Sequence, residues 1–275
     1  MLRAFVTGLA ITGCWLISAA LAQESDDAWK NMVMRALYAS EAHDYKKAEQ
    51  VFQKALREAE KFGAADPRVG TTLNSLGLVY KTEDRFPDAE SSFRGALTIL
   101  EKAYGFDSID VANVNYNIAS VLTAQGKQAG AFPFLEKSLS TYRRQLGPQS
   151  LKTATVLCMI GDAHRSLKAW PEAEIALKQC ADVRESQGGV VNAEFADAQF
   201  SLAQVYEREG KYTQADQRFR LAEKIREKTA GIMSPAFADV LEAHAAMLRD
   251  TGKDAEAVKD ATLAAAIRRN QEKKK

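Results

Sequence analysis

Three histidines, three cysteines and several acidic pairs are the side chains of this sequence that could do chemistry. His43, His164 and His244 could act as bases or metal ligands, but none stands in the HExxH spacing by which a helix presents a hydrolytic metal. Cys158 and Cys180 belong to no CxxC pair and have no partnered histidine, so they do not read as a zinc site. Glu207 and Glu209 are interleaved with Arg208 and Lys211, the pattern of a charged helix face. Gly188-Gly189 marks a helix end, and neither GxxxxGK[ST] nor GxSxG occurs. The expectation is a chain with no catalytic residue, no metal and no cofactor.

The residues that do cluster suit recognition. Asparagine is a poor helix-interior residue, yet Asn113, Asn115 and Asn117 crowd one short segment beside Tyr116, and Asn74 stands in a neighbouring one. Amide side chains donate and accept at once, which suits reading a peptide backbone.

The elements that must position these residues are periodic. Gly63, Gly105, Gly147, Gly189 and Gly231 fall 42 residues apart, as do Ala89, Ala131, Ala173, Ala215 and Ala257. A third ladder, Gly77, Ala119, Gly161, Ala203 and Ala245, runs twelve residues before the alanines. One supersecondary unit is copied about six times. In the second copy Leu73, Leu76, Gly77 and Tyr80 form one helical stripe, preceded by Asp66-Pro67 as cap and first-turn proline. Phe86, Ala89, Phe93, Ala96, Leu97 and Leu100 form a second stripe, ended by Gly105. Gly77 and Ala89 let the two helices approach, while Tyr80, Phe86 and Phe93 fill the wider gaps. The first copy keeps Ala36, Ala48, Phe52 and Ala55, but Ala48 lies 41 residues before Ala89. Asp254 to Arg269 reads as a polar terminal cap.

Leu73, Leu76, Gly77, Tyr80, Ala89, Phe93 and Ala96, repeated as Leu202, Ala203, Tyr206, Ala215, Phe219 and Ala222, resemble the tetratricopeptide repeat. The 42-residue period, against about 34 for that family, resembles its kinesin-light-chain variety. The resemblance covers nearly everything after residue 28 and implies an all-α, right-handed α-solenoid of about six helix-turn-helix repeats. The copies are residues 29–66, 67–107, 108–149, 150–191, 192–233 and 234–270, after a linker at 23–28 and before a basic tail at 271–275. In such arrays the first helices line a concave face. Carried onto this sequence, the partner-binding positions are Asn74, Lys81, Asn113, Tyr116, Asn117, Asp162, Arg165, Phe200, Gln204, Glu207 and Arg208. Phe200 reads equally as an aromatic anchor or a buried contact. His164 stands where the repeat has Tyr80 and Tyr206, and His244 where it has Leu76 and Leu202; both read as packing substitutions. The family's carboxylate clamp is incomplete, because Asn74 stands where it has lysine.

The first 22 residues do not fit the repeat. Met1-Leu2-Arg3 is a basic start, Ala4 to Leu21 is apolar, and Ala20-Leu21-Ala22 is an A-x-A site, so a secretory signal cleaved after Ala22 is expected. An uncleaved anchor and a lipobox ending at Cys14 are the alternatives, and only these would bring membrane contact. The chain carries 37 basic and 36 acidic residues, a net charge of +1. Loss of Arg3 with the leader balances them, so no basic field draws nucleic acid. An extracytoplasmic compartment permits a Cys158–Cys180 disulfide; two buried thiols are the alternative. The functional expectation is a secreted or periplasmic scaffold that binds a protein or peptide through its concave face. The alternative is a structural subunit of an envelope assembly that uses its convex face and ends.

Overall fold

A computed structural model describes residues 4–188 and 192–273, with side chains from residue 23 onward. Arg3, Cys14, the Ala20–Ala22 site, Gly189 and the last two lysines lie outside that description. Among the described residues all regular structure is helical: α1 Ala4–Glu41, α2 Tyr45–Glu60, α3 Pro67–Thr82, α4 Phe86–Tyr104, α5 Ile109–Ala124 and α6 Gln128–Leu146. There follow α7 Leu151–Ser166, α8 Trp170–Gly188, α9 Ala193–Arg208, α10 Tyr212–Ala230, α11 Pro235–Asp250 and α12 Asp254–Glu272. The twelve helices fall in step with the six expected helix-turn-helix copies. Among the described residues no helix is long and apolar enough to cross a membrane.

The chain divides into two compact units, residues 1–125 with α1 to α5 and residues 126–275 with α6 to α12. In the first, each helix packs on the next and α3 also touches α5. In the second the same holds from α6 to α12, with α7 touching α9 and α9 touching α11. Within each unit, first helices therefore also touch first helices of neighbouring copies.

The period that spaces the small residues also spaces the punctuation. Asp66, Ser108, Ser150, Asn192 and Ser234 each accept a hydrogen bond from a backbone N–H in the first turn of α3, α5, α7, α9 and α11. A cap of this kind is worth about 1 kcal/mol. The turn inside each copy places one residue at positive φ: His43, Asp84, Gly126, Lys168, Gly210 and Gly252. The turn between copies needs glycine for a stricter reason. Gly105, Gly147 and Gly231 combine φ of 79°, 88° and 82° with ψ of 163°, 158° and 157°. That region is closed to any residue with a Cβ. The expected left-handed helix-end conformation is thus replaced by one extended in ψ, which turns the chain toward the next first helix.

Each copy closes on its small residue. A Cβ on Gly77 would lie 2.6 Å from Phe93 Cε1, and one on Gly161 would lie 2.5 Å from Leu177 Cγ. Around these contacts Phe52 lies in the first unit's core, and Leu177, Phe195, Tyr206 and Phe219 in the second's. Residues 23–28, expected as a linker, are helical and tied down. Ser25 donates to Glu58 at 2.6 Å and Arg68 to Asp26 at 2.8 Å, while Trp29 beside them donates to Thr72 at 3.0 Å. The terminal helix is less polar outside than a cap requires, with Val258 and Leu263 exposed.

Replacing Gly161 by leucine forces a side chain into Leu177. We expect a loss of about 1–3 kcal/mol, read as a lower melting temperature with the helical signal retained below it. An unchanged melting curve would mean that α7 and α8 do not meet at this residue.

Candidate functional site

Within each unit, charged bridges join neighbouring second helices. Glu49 accepts from Arg85 at 2.9 Å, and Glu174 accepts from Lys211 at 2.7 Å. Asp216 lies 3.6 Å from Lys253. In each case the acid follows the ladder alanine, and the base stands four residues before the next copy's alanine. Those bases occupy the N-cap positions of α4, α10 and α12, which have no side-chain cap hydrogen bond. The N-cap is given up for a joint between copies. In α2, where no earlier second helix needs a base, Asp44 caps Lys47 N–H in the ordinary way. In the third copy Phe132 replaces the acid, Ala169 replaces the base, and the Phe132 ring sits 4.5 Å from His164. The change is matched on both sides of the joint.

The expected partner-binding residues fall into two sets, one per unit. In the first unit Asn117 is buried and donates from Nδ2 to Asn74 Oδ1 at 2.9 Å, joining α5 to α3. Asn113 and Tyr116 are half-buried and engaged with neighbours. Asn115 is buried and donates to Val111 O of its own helix at 3.0 Å. Lys81 is half-buried, and burial pushes its ammonium pKa down. Beside these amides is an apolar cavity of about 140 Å³, lined by Leu37, Tyr45, Phe52, Ser75, Leu78 and Thr82.

In the second unit the polar residues bind one another. Arg165 donates to Asp162 at 3.2 Å and to Gln204 at 2.9 Å, and Ser201 donates to Asp162 at 2.8 Å. Together they bind α7 to α9. Phe200 is half-buried with its ring 6.1 Å from Phe219. Glu207 is half-buried and its carboxyl pKa is raised, first by burial and then by Asp250, against the pull of Arg208. Arg208 is exposed. Much of what the sequence offers to a ligand is thus spent on the neighbouring copy.

The structure joins Cys158 on α7 to Cys180 on α8 as a disulfide, with Cα atoms 5.3 Å apart, inside the range a bridge requires. His43 Nδ1 contacts Tyr45 Oη at 2.8 Å in the first turn. His244 is not a simple packing substitution. It is fully buried and faces Asp216, Glu223 and Asp260. Sequence reading missed this cluster. Its signal is a doubly broken ladder: Glu223 stands where earlier copies have Leu97, Leu139 and Ala181, and His244 where they have Leu76, Ile118, Ile160 and Leu202.

A tetratricopeptide repeat family model matches residues 31–102 and 110–186, and a second tetratricopeptide repeat model matches residues 196–229. Among curated proteins, a clustered mitochondria protein homolog of Aspergillus oryzae is 25% identical over 92 residues, 34% of this chain and 7% of that protein. The chain therefore spans only a small part of such relatives. Among solved structures, BtubC from P. vanneervenii superposes with a TM-score of 0.67 at 23% identity, covering 74% of this chain and 81% of that one. PilW, described as a widely conserved type IV pilus biogenesis factor, superposes with a TM-score of 0.63 at 19% identity, covering 87% and 90%.

The joint at Glu174 has a defined pH signature. Burial pushes this carboxyl up, but hydrogen bonds from Lys178 and Lys211 outweigh burial and hold it at about 2, against an ordinary 4.5. A carboxyl lowered on folding stabilises above its unfolded pKa and stops doing so as pH falls through the folded value. Glu174→Gln should therefore lower stability by about 1–2 kcal/mol at pH 7. The gap to wild type should close between pH 4.5 and about 2. Melting curves of both proteins across that range check it; a gap independent of pH would exclude the charged joint.

Proposed function

This chain belongs to the tetratricopeptide repeat family, and on that premise we propose that it is a non-enzymatic scaffold of a cell-envelope protein assembly. It engages partners through its inter-copy turns and outer sides. The observation that carries this reading is the distribution of free surface. The polar residues of the first helices are paired off as Asn74–Asn117 and Asp162–Arg165–Gln204. Exposed apolar side chains recur at the turns between copies, Tyr104 and Phe106, Leu146 and Leu151, Ile232 and Met233, whereas on the first helices they are confined to α1 and α3 (Met34, Leu37, Tyr38 and Leu78) and the start of α7. Phe106 is 72% exposed and Ile232 52%. Apolar surface of that kind, repeated at equivalent turns within each unit, is the mark of a protein contact. The likeness to PilW, a pilus biogenesis factor, and the apolar leader with its A-x-A site support the envelope setting.

One observation favours a second reading, capture of a peptide by the first helices. The apolar cavity walled by Leu37, Phe52 and Leu78 would take a single side chain of an extended or helical segment. The two readings separate in one experiment. Tagged full-length protein is used to retrieve partners from an envelope extract, with a turn variant (Phe106→Ser with Ile232→Ser) and a first-helix variant (Asn74→Ala, Leu78→Ala and Arg165→Ala). The scaffold reading expects the turn variant to retain roughly a tenth of wild-type capture, the cost of about 1–2 kcal/mol at an interface anchor, and the first-helix variant to retain most of it. The reverse pattern would establish the peptide reading.

We further propose that the mature chain begins at Gln23, outside the cytoplasm, and that Cys158 and Cys180 are bridged there. An oxidising compartment is where such a bond persists. Closing a loop of this length is worth about 3 kcal/mol in the chain-entropy model. Intact-mass measurement of protein from the native host should give a Gln23 terminus and no thiol-alkylated cysteine before reduction, and reduction should lower the melting temperature. A lipid-modified Cys14 or two alkylated cysteines would contradict the proposal.

A further inference from the structure

The buried imidazole at the last joint is held in an arrangement that a proton does not balance. His244 on α11 is fully buried, stacked on Phe219 of α10 with ring centroids 5.2 Å apart. From α10, Asp216 Oδ1 lies 3.2 Å from Nε2 and Glu223 Oε1 lies 2.6 Å from Nδ1; from α12, Asp260 Oδ2 lies 3.2 Å from Nδ1. Two neighbouring helices thus send three carboxylates to one ring. Asp216 is already matched, by Arg220 at 3.0 Å and Lys253 at 3.6 Å. Among the described residues, neither Glu223 nor Asp260 has an ion-pair partner other than His244. A protonated imidazole would leave one negative charge in excess between them. Burial and then repulsion by Glu223 push the Asp260 carboxyl up, the effect expected of uncompensated negative charge.

Carboxylates face both ring nitrogens; with Asp216 holding a proton on Nε2, a metal ion can take the place of the proton that Glu223 and Asp260 would otherwise hold on Nδ1. The three ligand atoms then lie within 4.8 Å of one another. We propose that His244 Nδ1, Glu223 and Asp260 bind a divalent transition-metal ion of the zinc class, with Asp216 fixing the ring from its far side. Two carboxylates and a neutral imidazole leave such an ion with no net charge. Tetrahedral bonds of about 2.0–2.1 Å separate ligand atoms by roughly 3.3 Å. The Asp260 contact already has that separation, and Glu223 needs to withdraw by less than about 1 Å. One imidazole with two carboxylates is a zinc set; magnesium prefers an octahedron of oxygens. The side chains of Glu223 and Asp260 are 18% and 16% exposed, which gives the ion a path in and leaves a position for water. The bound ion would tie α10, α11 and α12 together, where the other copies rely on apolar packing at the same place.

The test is titration of the full chain, stripped with chelator, with zinc chloride at neutral pH by calorimetry, beside magnesium chloride. The expected result is one zinc per chain, no response to magnesium, and a rise in melting temperature with zinc. Glu223→Gln and Asp260→Asn should each abolish the site, and Asp216→Asn should weaken it about 10–100-fold. His244→Leu restores the residue type of Leu76 and Leu202, so it should fold and bind nothing. A fourth measurement needs no buried variant: nitrogen NMR of wild type should show zinc at Nδ1 of a single histidine, assigned by the His43→Gln and His164→Gln proteins. No zinc uptake, zinc uptake surviving in His244→Leu, or a histidine that titrates as imidazolium without a response to zinc would overturn the proposal.

Discussion

The architecture depends on the approach of two helices at a residue with almost no side chain. With Gly77 under Phe93 and Gly161 under Leu177, no Cβ fits, and the other copies allow no more than the methyl of Ala119, Ala203 or Ala245, so each pair closes to a distance that larger side chains forbid. That closeness fixes the length and angle of the turn, which then needs its positive-φ residue. It also fixes where the following glycine must redirect the chain. Because the same contact recurs at one period, each copy presents the same faces to its neighbours, and the charged joints can be periodic as well.

Those joints show how stability is shared between local and neighbouring structure. A helix gains about 1 kcal/mol from a good N-cap, yet α4, α10 and α12 place Arg85, Lys211 and Lys253 there. Each base reaches an acid on the preceding copy. A half-buried acid with two basic partners, such as Glu174, returns at least as much as the cap would have given. The first helices keep their Ser, Asp and Asn caps, because their N-termini meet no such partner. The matched loss of acid and base at Phe132 and Ala169 follows: half a joint would leave a partly buried charge alone.

The fold was legible because its signals are local and repeated. Small residues, capping residues and turn glycines each obey a strict spacing, and spacing survives in a string of letters. The candidate binding surface was less legible. Asn117 and Asn74 look like free amides in sequence, but they lie 43 positions apart and meet only when α3 and α5 stack. Arg165 and Gln204 behave alike across α7 and α9. A residue facing a ligand and one facing the next copy occupy nearly the same register, so periodicity does not tell them apart. His244 was hardest: Asp216, Glu223 and Asp260 come from two other helices, and a single histidine in an apolar ladder looks like packing. The broken ladder at Glu223 was visible, but it shares no motif spacing with His244.

The bridge pattern has a direction: the acid stands on the earlier copy and the base on the later one. In the first copy the base position is filled by Asp44, and in the sixth the acid position by Val258. A copy duplicated or moved within the array therefore carries an acid for its successor and a base for its predecessor, and the joint re-forms only between copies laid in the same order.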